Sequence, residues 1–315
     1  MLRSTDVLCF GEALIDFFPP APGQTLVDCD VYHRQLGGAP TNVAVGLARL
    51  GVPVGVMTLV GPDDFGLYVR NKLATEGVDV RGVGTHPSAK TGITFVEVAV
   101  DGHRRFLFFR HPSADQMIAE DDVDADLVKA ARIFHFGSST LSKQPARDAT
   151  WKAVAIAKSH GRLISCDPNW RAHLWEDRAT ARAELQRLTE CVDLIKISEE
   201  ELVEIAGTAD VEKGAAEIRR RGATLVLVTL GEKGAYYDAP LGTGWVPGVK
   251  VNVVDTTGAG DGFVAGLLAA LLPKLSERSL VELSRAELES AVVRGNWVGA
   301  QVVTQLGATA GLPRV

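Results

Sequence analysis

The sequence predicts an α/β protein: a parallel sheet covered by helices on both faces, with a second, small sheet outside it. Three observations carry this. Short β-branched runs alternate with helical patterns along the chain. The runs are apolar almost throughout, as strands buried on both faces are. Two segments, 12–36 and 91–110, break the alternation. The 315 residues are 46% hydrophobic and 23% charged, enough for one large or two ordinary domains with a full core.

In chain order, VLCF (7–10), VGVMTLV (54–60), RIFHF (132–136), RLISC (162–166), DLIKI (193–197) and TLVLVTL (224–230) read as main-sheet strands. A further strand, 249–254, is expected to lead into a glycine-rich stretch. Helices are expected over 40–50, with Pro40 near the first turn and Gly51 after the last, and over 64–76, 143–160, 198–206, 211–221, 261–272 and 285–305. Segment 12–36 is rich in proline and short β runs, and TGITFVEVAVDGHRRFLFFR (91–110) reads as a hairpin turning at Asp101-Gly102. Internal repeats and low-complexity tracts are absent.

The formal net charge is −6 and the longest Lys/Arg block is Arg219–Arg221, so nucleic acid and anionic membranes are not expected as general partners. The longest clean apolar stretch, Val264–Leu272, is too short to span a bilayer, and Glu12 and Asp16 break the N-terminal apolar segment. A cytoplasmic protein is expected. Cys9, Cys29, Cys166 and Cys191 are widely spread without a CxxC, which predicts reduced thiols. Seven scattered histidines without HExxH give no transition-metal site.

The stretch that carries chemistry is VDTTGAGDGFV, 254–264. Gly258, Ala259 and Gly260 allow a tight turn, and Asp261 opens a helix whose first N–H groups lack internal partners. Such a place suits a phosphate, and Asp261 beside it can accept a proton from an attacking hydroxyl. The rival reading is a glycine-rich turn with Asp261 as an ordinary N-cap. From these residues alone both readings stand. A dinucleotide fingerprint at the first βα turn and a Gly-Lys phosphate loop are both missing.

The wider context separates them. DTTGAGDGFVAGLL (255–268) and LGGAPTNVAVGLARLG (36–51) resemble the C-terminal and N-terminal signatures of the ribokinase-like, or phosphofructokinase B, sugar kinases. GEALIDF (11–17), FFRHPSADQMI (108–118), DPNWRAHLW (167–175), KISEEEL (196–202), VTLGEKGAYY (228–237) and VVTQLGATAGLP (302–313) fall in the same order as in that family, so the resemblance covers essentially the whole chain. FFRHPSAD and DPNWR…LW are most similar to its fructokinase branch.

The resemblance implies a single three-layer α/β/α domain, 1–315, with a sheet of about nine strands and a β-sheet lid formed by 12–36 and 91–110. It also implies an ATP-dependent kinase that makes fructose 6-phosphate. Asp261 would be the base, and the amides from Gly258 through Ala259 and Gly260 would stabilise charge on the transferred phosphoryl group. Asp16, Gly37, Gly38 and Asn42 would bind sugar hydroxyls; Phe95, Phe106 and Phe108 would cover the sugar; Arg110 and Arg171 would donate to hydroxyls or phosphoryl. Lys196, Ser198, Glu201, Thr229, Gly231, Gly234 and Asn296 would serve ATP, with Lys233 solvated or near it.

Two departures from the family pattern stand out. The usual Asn-x-x-Glu, which organises Mg2+ through waters, is Ser198…Glu201 here. A monovalent cation such as K+ is implied at Asp255, Thr257, Val302, Gln305 and Gly307, yet Gly311 stands where K+-using members carry a serine ligand. Rival enzymes are an aminoimidazole riboside kinase and a 2-keto-3-deoxygluconate kinase, whose lid tyrosines are phenylalanines here. A sugar or nucleotide sensor on the same fold would not need Asp261. A homodimer through the lid is a further implication.

Overall fold

A computed structural model describes residues 5–99, 104–110, 112–276 and 279–315; the expected Asp101-Gly102 turn lies outside them. β1 (Val7–Phe10) opens the main sheet. β2 (Leu14–Phe18) and β3 (His33–Gly37) leave it, α1 (Ala39–Arg49) returns to it, and β4 (Val54–Val60), α2 (Asp64–Thr75) and β5 (Val83–Thr85) follow. β6 (Gly92–Val98) and β7 (Arg104–Phe109) make a second excursion. Next come α3 (Ala125–Ala130), β8 (Ile133–Phe136), α4 (Ala146–Ser159), β9 (Leu163–Cys166), α5 (Arg178–Cys191), β10 (Leu194–Ser198), α6 (Leu202–Ala206) and α7 (Val211–Arg221). β11 (Leu225–Thr229), β12 (Ala235–Ala239), β13 (Gly242–Val246), α8 (Ala259–Leu271) and α9 (Arg285–Val302) complete the order.

Nine strands form the main sheet in the order β13-β12-β11-β10-β9-β8-β1-β4-β5. From β11 to β5 all neighbours are parallel, whereas β12 and β13 pair antiparallel, so the sheet is mixed at one edge where a wholly parallel one was expected. Alternate strand residues feed two cores. Val7 and Cys9 pack with α1, α8 and α9, while Leu8 and Phe10 pack on the face covered by α4, α5 and α7. The two excursions meet in a separate four-stranded sheet, β3-β2-β6-β7, in which β2 and β6 run parallel.

The six apolar runs become β1, β4 and β8 to β11 within a residue or two of their expected bounds. Residues 249–254 do not join a sheet: Val249, Lys250, Val251 and Val253 line the cleft, and Val254 N–H donates to the Val303 carbonyl at 2.8 Å. The expected helix 198–206 is a 3-10 turn, Glu199–Glu201, leading into α6. Helix α5 was not anticipated. Its polar face hides the buried row Ala181, Leu185, Leu188, and Asp177 caps it by accepting from Thr180 N–H. All four cysteines are unbridged, and among the described residues no helix is long and apolar enough to cross a membrane.

Candidate active site

The C-terminal ends of the parallel strands open onto a cavity of about 900 Å3. One wall is the small sheet; the other is built by the turns after β9, β10 and β11 and by the start of α8. The cavity begins where strand order reverses, between β1 and β8, the usual ligand position in an open α/β sheet.

The glycine-rich stretch enters this cavity as a turn. Asp255 is fully buried and accepts hydrogen bonds from Thr257 N–H (2.9 Å), the Thr257 hydroxyl (2.7 Å) and Gly307 N–H (2.9 Å). Gly258 has φ 78, and a Cβ there would lie 2.7 Å from Ala308 Cα, so only glycine fits. Helix α8 starts at Ala259 with Gly258 as its cap, which puts Asp261 at the third helical position and rules out the N-cap reading. Its carboxylate instead accepts from Asn42 Nδ2 at 2.8 Å. Helix geometry leaves the N–H groups of Gly260 and Asp261 without intrahelical acceptors, beside the buried Lys196.

Five buried carboxylates line the cavity, Glu12, Asp16, Asp167, Glu201 and Asp261, with Arg110 and Lys196 as buried counter-charges. Burial pushes Asp261 from its ordinary 3.8 up to about 7, with Asp167 adding to the effect and the Asn42 hydrogen bond and Lys196 opposing it. Asp16 is likewise driven up to about 7 by burial, against the pull of Thr94 and Arg110. Glu12 moves in the same direction for the same reason. Lys196 pairs with Asp167 at 2.9 Å; although burial opposes its charge, Asp167, Glu201 and Asp261 hold its pKa above the usual lysine value.

On the small-sheet side, Asp16 sits opposite Thr94 in the β2–β6 ladder. A Cβ on Gly37 would fall 2.2 Å from Asp16 Oδ2, and one on Gly38 (φ 104) 2.3 Å from the Glu12 carbonyl, so both glycines make room for this corner. Asn42, in the first turn of α1, has an Oδ1 that accepts no hydrogen bond from any described residue. Arg110 is buried and ion-paired with Asp115. Arg171 lines the cavity half-buried, donating to the Trp170 carbonyl at 2.9 Å.

Phe106 and Phe108 also line the cavity. Phe95 does not: it pairs in register with Leu107, and the two-residue period of a strand turns it to the opposite face, against Phe17, Tyr32 and Phe109.

On the far side, Ser198 and Glu201 form a reciprocal capping box, and Glu201 also accepts from Trp170 N–H at 2.5 Å. A short Ser in place of Asn suits this cap. Thr229, Gly231 (φ 57), Gly234 (φ 101) and Asn296 line the cavity, and Asn296 Nδ2 donates to the Pro247 carbonyl at 3.0 Å. A Cβ on Gly260 would sit 2.6 Å from Lys196 Nζ, so this glycine lets the ammonium reach the helix start. Gly37, Lys233, Asp255, Val302, Gln305 and Gly307 lie outside the lining; Asp255 and Gly307 hold the turn from beneath.

Glu12, Thr94, Asp167 and His173 were not singled out in the sequence. Glu12 and Asp167 stand inside quoted motifs, at the ends of β1 and β9, and that position was their available signal. His173 stacks on Phe108 at 4.8 Å.

The profile of the pfkB family carbohydrate kinases matches residues 4–314. Fructokinase-1 of Oryza sativa subsp. japonica is 39% identical over 312 residues, covering 99% of this chain and 95% of that protein. The crystal structure of fructokinase from Vibrio cholerae O395 in fructose, ADP and calcium ion bound form superposes with a TM-score of 0.88 at 36% identity, covering 98% of this chain and 96% of that one. The aminoimidazole riboside kinase of Salmonella enterica, complexed with aminoimidazole riboside and an ATP analog, gives a TM-score of 0.84 at 28% identity over 98% of this chain and 96% of its own. With this agreement over nearly its full length, the chain belongs to the pfkB family of carbohydrate kinases.

Proposed function

We propose that the protein is an ATP-dependent fructokinase that converts fructose to fructose 6-phosphate. The observation that carries the chemistry is Asp261: a buried carboxylate poised near pH 7, at the first turn of a helix whose free amides open into the same cavity as Asp16. The choice of fructose rests on the full-length fructokinase relatives. In this reading Asp16 and Asn42 bind the sugar's hydroxyls, Arg110 and Arg171 donate to hydroxyls or phosphoryl oxygens, and Phe106 and Phe108 exclude water over the ring. Asp261 takes the proton of the primary hydroxyl as its oxygen attacks the γ-phosphorus in line. The Gly260 and Asp261 amides, with Lys196, meet the charge on the transferred phosphoryl group.

ATP lies along the Ser198, Thr229–Gly231 and Gly234 edge toward Asn296. Mg2+ fits this lip: Glu199 and Glu200 line it exposed, while Glu201 is committed to two backbone N–H groups. Among the described residues no group of three or more His, Cys, Asp or Glu could hold a metal ion; Mg2+ would be held here largely through water and the phosphates of ATP. When bound, Mg2+ neutralises phosphate charge. K+ belongs to the same reading, held by backbone oxygens around Asp255, Thr257, Val302, Gln305 and Gly307. A side chain at Gly311 would meet the Gln301 and Val302 carbonyls at 2.4 and 2.7 Å, so none can complete that shell.

We take residues 1–315 as one catalytic domain, with 12–36 and 91–110 as its lid. The lid's outer face, with Phe109 57% and Leu107 44% exposed, is the surface for a homodimer, checked by light scattering. Unbridged cysteines suit a reducing compartment such as the cytoplasm. The deciding experiment is an ATP-coupled assay over fructose, ribose, adenosine, aminoimidazole riboside and 2-keto-3-deoxygluconate. Fructose is expected to give the highest kcat/KM by at least about tenfold. A preference for a nucleoside or keto acid moves the chain to another branch of the family, and no turnover with any sugar leaves the sensor reading.

A further inference from the structure

The segment after α9 does two jobs at once. On one side it braces the glycine-rich turn: the Val303 carbonyl accepts from Val254 and Asp255 N–H (2.8 and 3.3 Å), Gly307 N–H donates to Asp255 (2.9 Å), and Ala308 packs against Gly258. On the other side the same residues grip the small sheet. The Leu306 side chain packs against the cluster of Phe18, Val96 and Val98 drawn from β2 and β6. The Leu306 carbonyl accepts from Gln35 Nε2 on β3 at 3.3 Å. Gly307 (φ 93) has the Gln35 amide where a Cβ would be, 1.9 Å from Oε1, so β3 and this segment are in closest contact.

We infer that residues 303–308 act as a strap that couples the position of the small sheet to the shape of the phosphate-facing turn at 255–261, with Leu306 and Gln35 as its positioning residues. Neither residue lines the cavity. The physical argument is stiffness. Asp255, fully buried, ties three donors, and a turn held that way cannot follow the strap without moving as a unit. A sugar that draws the small sheet inward therefore presets the turn for the nucleotide's phosphates, and by reciprocity the nucleotide favours the drawn-in sheet. This rests on the kinase reading for its ligands, but the mechanical coupling itself does not.

The test has two parts. In the free protein, hydrogen exchange is compared for wild type, Leu306→Ala and Leu306→Met. The strap predicts faster exchange in Leu306→Ala at both β2–β3 and 255–261, with Leu306→Met, which keeps the apolar contact, close to wild type. Loosening confined to 303–309 overturns the inference. In the second part, ADP binding is measured by calorimetry with and without fructose, for wild type, Leu306→Ala and Gln35→Ala. Wild type is expected to show at least about fivefold tighter ADP binding with fructose, the lower end of ordinary coupling, and both variants a ratio near one with ADP affinity in the absence of sugar little changed. A ratio kept at the wild-type value in both variants overturns the strap. A wild type that binds no fructose overturns the fructokinase reading instead, and the exchange data on free protein still decide the strap.

Discussion

Replacing Asp261 by Asn keeps size, keeps an acceptor for Asn42 Nδ2, and removes the ability to take a proton. Turnover should fall by roughly 10²–10⁴-fold, the span of a positioned general base. Sugar and nucleotide affinities should each change by less than about 1 kcal/mol, since only one acceptor site is altered. Stability should move the other way. The carboxyl is held near 7 in the folded chain against 3.8 ordinarily, with burial the main cause. A folded pKa above the unfolded one means stability that is fully present below about pH 4 and is lost as pH rises through about 7. At about 1.4 kcal/mol per pH unit, ionisation at pH 8 costs the free wild type on the order of 4 kcal/mol, an upper bound because Asp16 titrates beside it. The Asn variant escapes that cost. Its melting temperature should exceed wild type at pH 8, and the gap should close as pH falls toward about 4. Wild-type kcat/KM should climb about tenfold per pH unit below about 7 and level off above it, and the residual rate of the variant should lack that limb. Turnover near wild type in a well-folded Asp261→Asn protein, or a lower melting temperature with unchanged rate, refutes the assignment.

Gly37→Ala would put a Cβ 2.2 Å from Asp16 Oδ2, so the sugar KM should rise at least about tenfold while ADP affinity, read by calorimetry, stays put. Lys196→Met leaves Asp167 buried without its cation; urea unfolding should report a loss of about 3–5 kcal/mol, and ATP affinity should fall as well. Asp255→Ala strands the buried Gly307 N–H and frees the turn, so stability should fall by about 2–4 kcal/mol with kcat reduced more than sugar affinity. Chelating Mg2+ should abolish turnover, and replacing K+ by a bulky organic cation should lower it if the carbonyl site is occupied in solution.

The main sheet was legible because buried parallel strands leave continuous apolar runs, and β1, β4, β8, β9, β10 and β11 all carry one. The misses have separate causes. VKVNVV at 249–254 alternates like a strand, yet it serves as the rim of the cavity, with Val253 58% exposed. Helix α5 shows only a thin apolar row among charges, and β12–β13 pairs antiparallel because a tight hairpin, not a helix, joins the two. In the cavity, Asp16, Asn42, Lys196 and Asp261 were readable from the motifs that hold them, and the structure brings these four together. The opposite facings of Phe95 and Phe108 depend on the cross-strand register, which sequence spacing alone did not supply. The ion pair of Lys196 with Asp167 joins β10 to the end of β9, a contact that only a known sheet order predicts.

The two excursions that form the small sheet are separated in the chain by the whole β4–α2–β5 unit, and they meet through the parallel ladder of Asp16 with Thr94. Such a pairing closes a long loop before it returns any contact, so this sheet should assemble late, onto a core already in place. It also divides inheritance. In the proposed reading, apart from the 167–174 turn, the residues facing the sugar come from before 140 and those facing the nucleotide from 196 onward. A single crossover between α5 and β10, in a hybrid with a family member of different sugar preference, would exchange nearly the whole acceptor pocket while leaving the donor machinery intact.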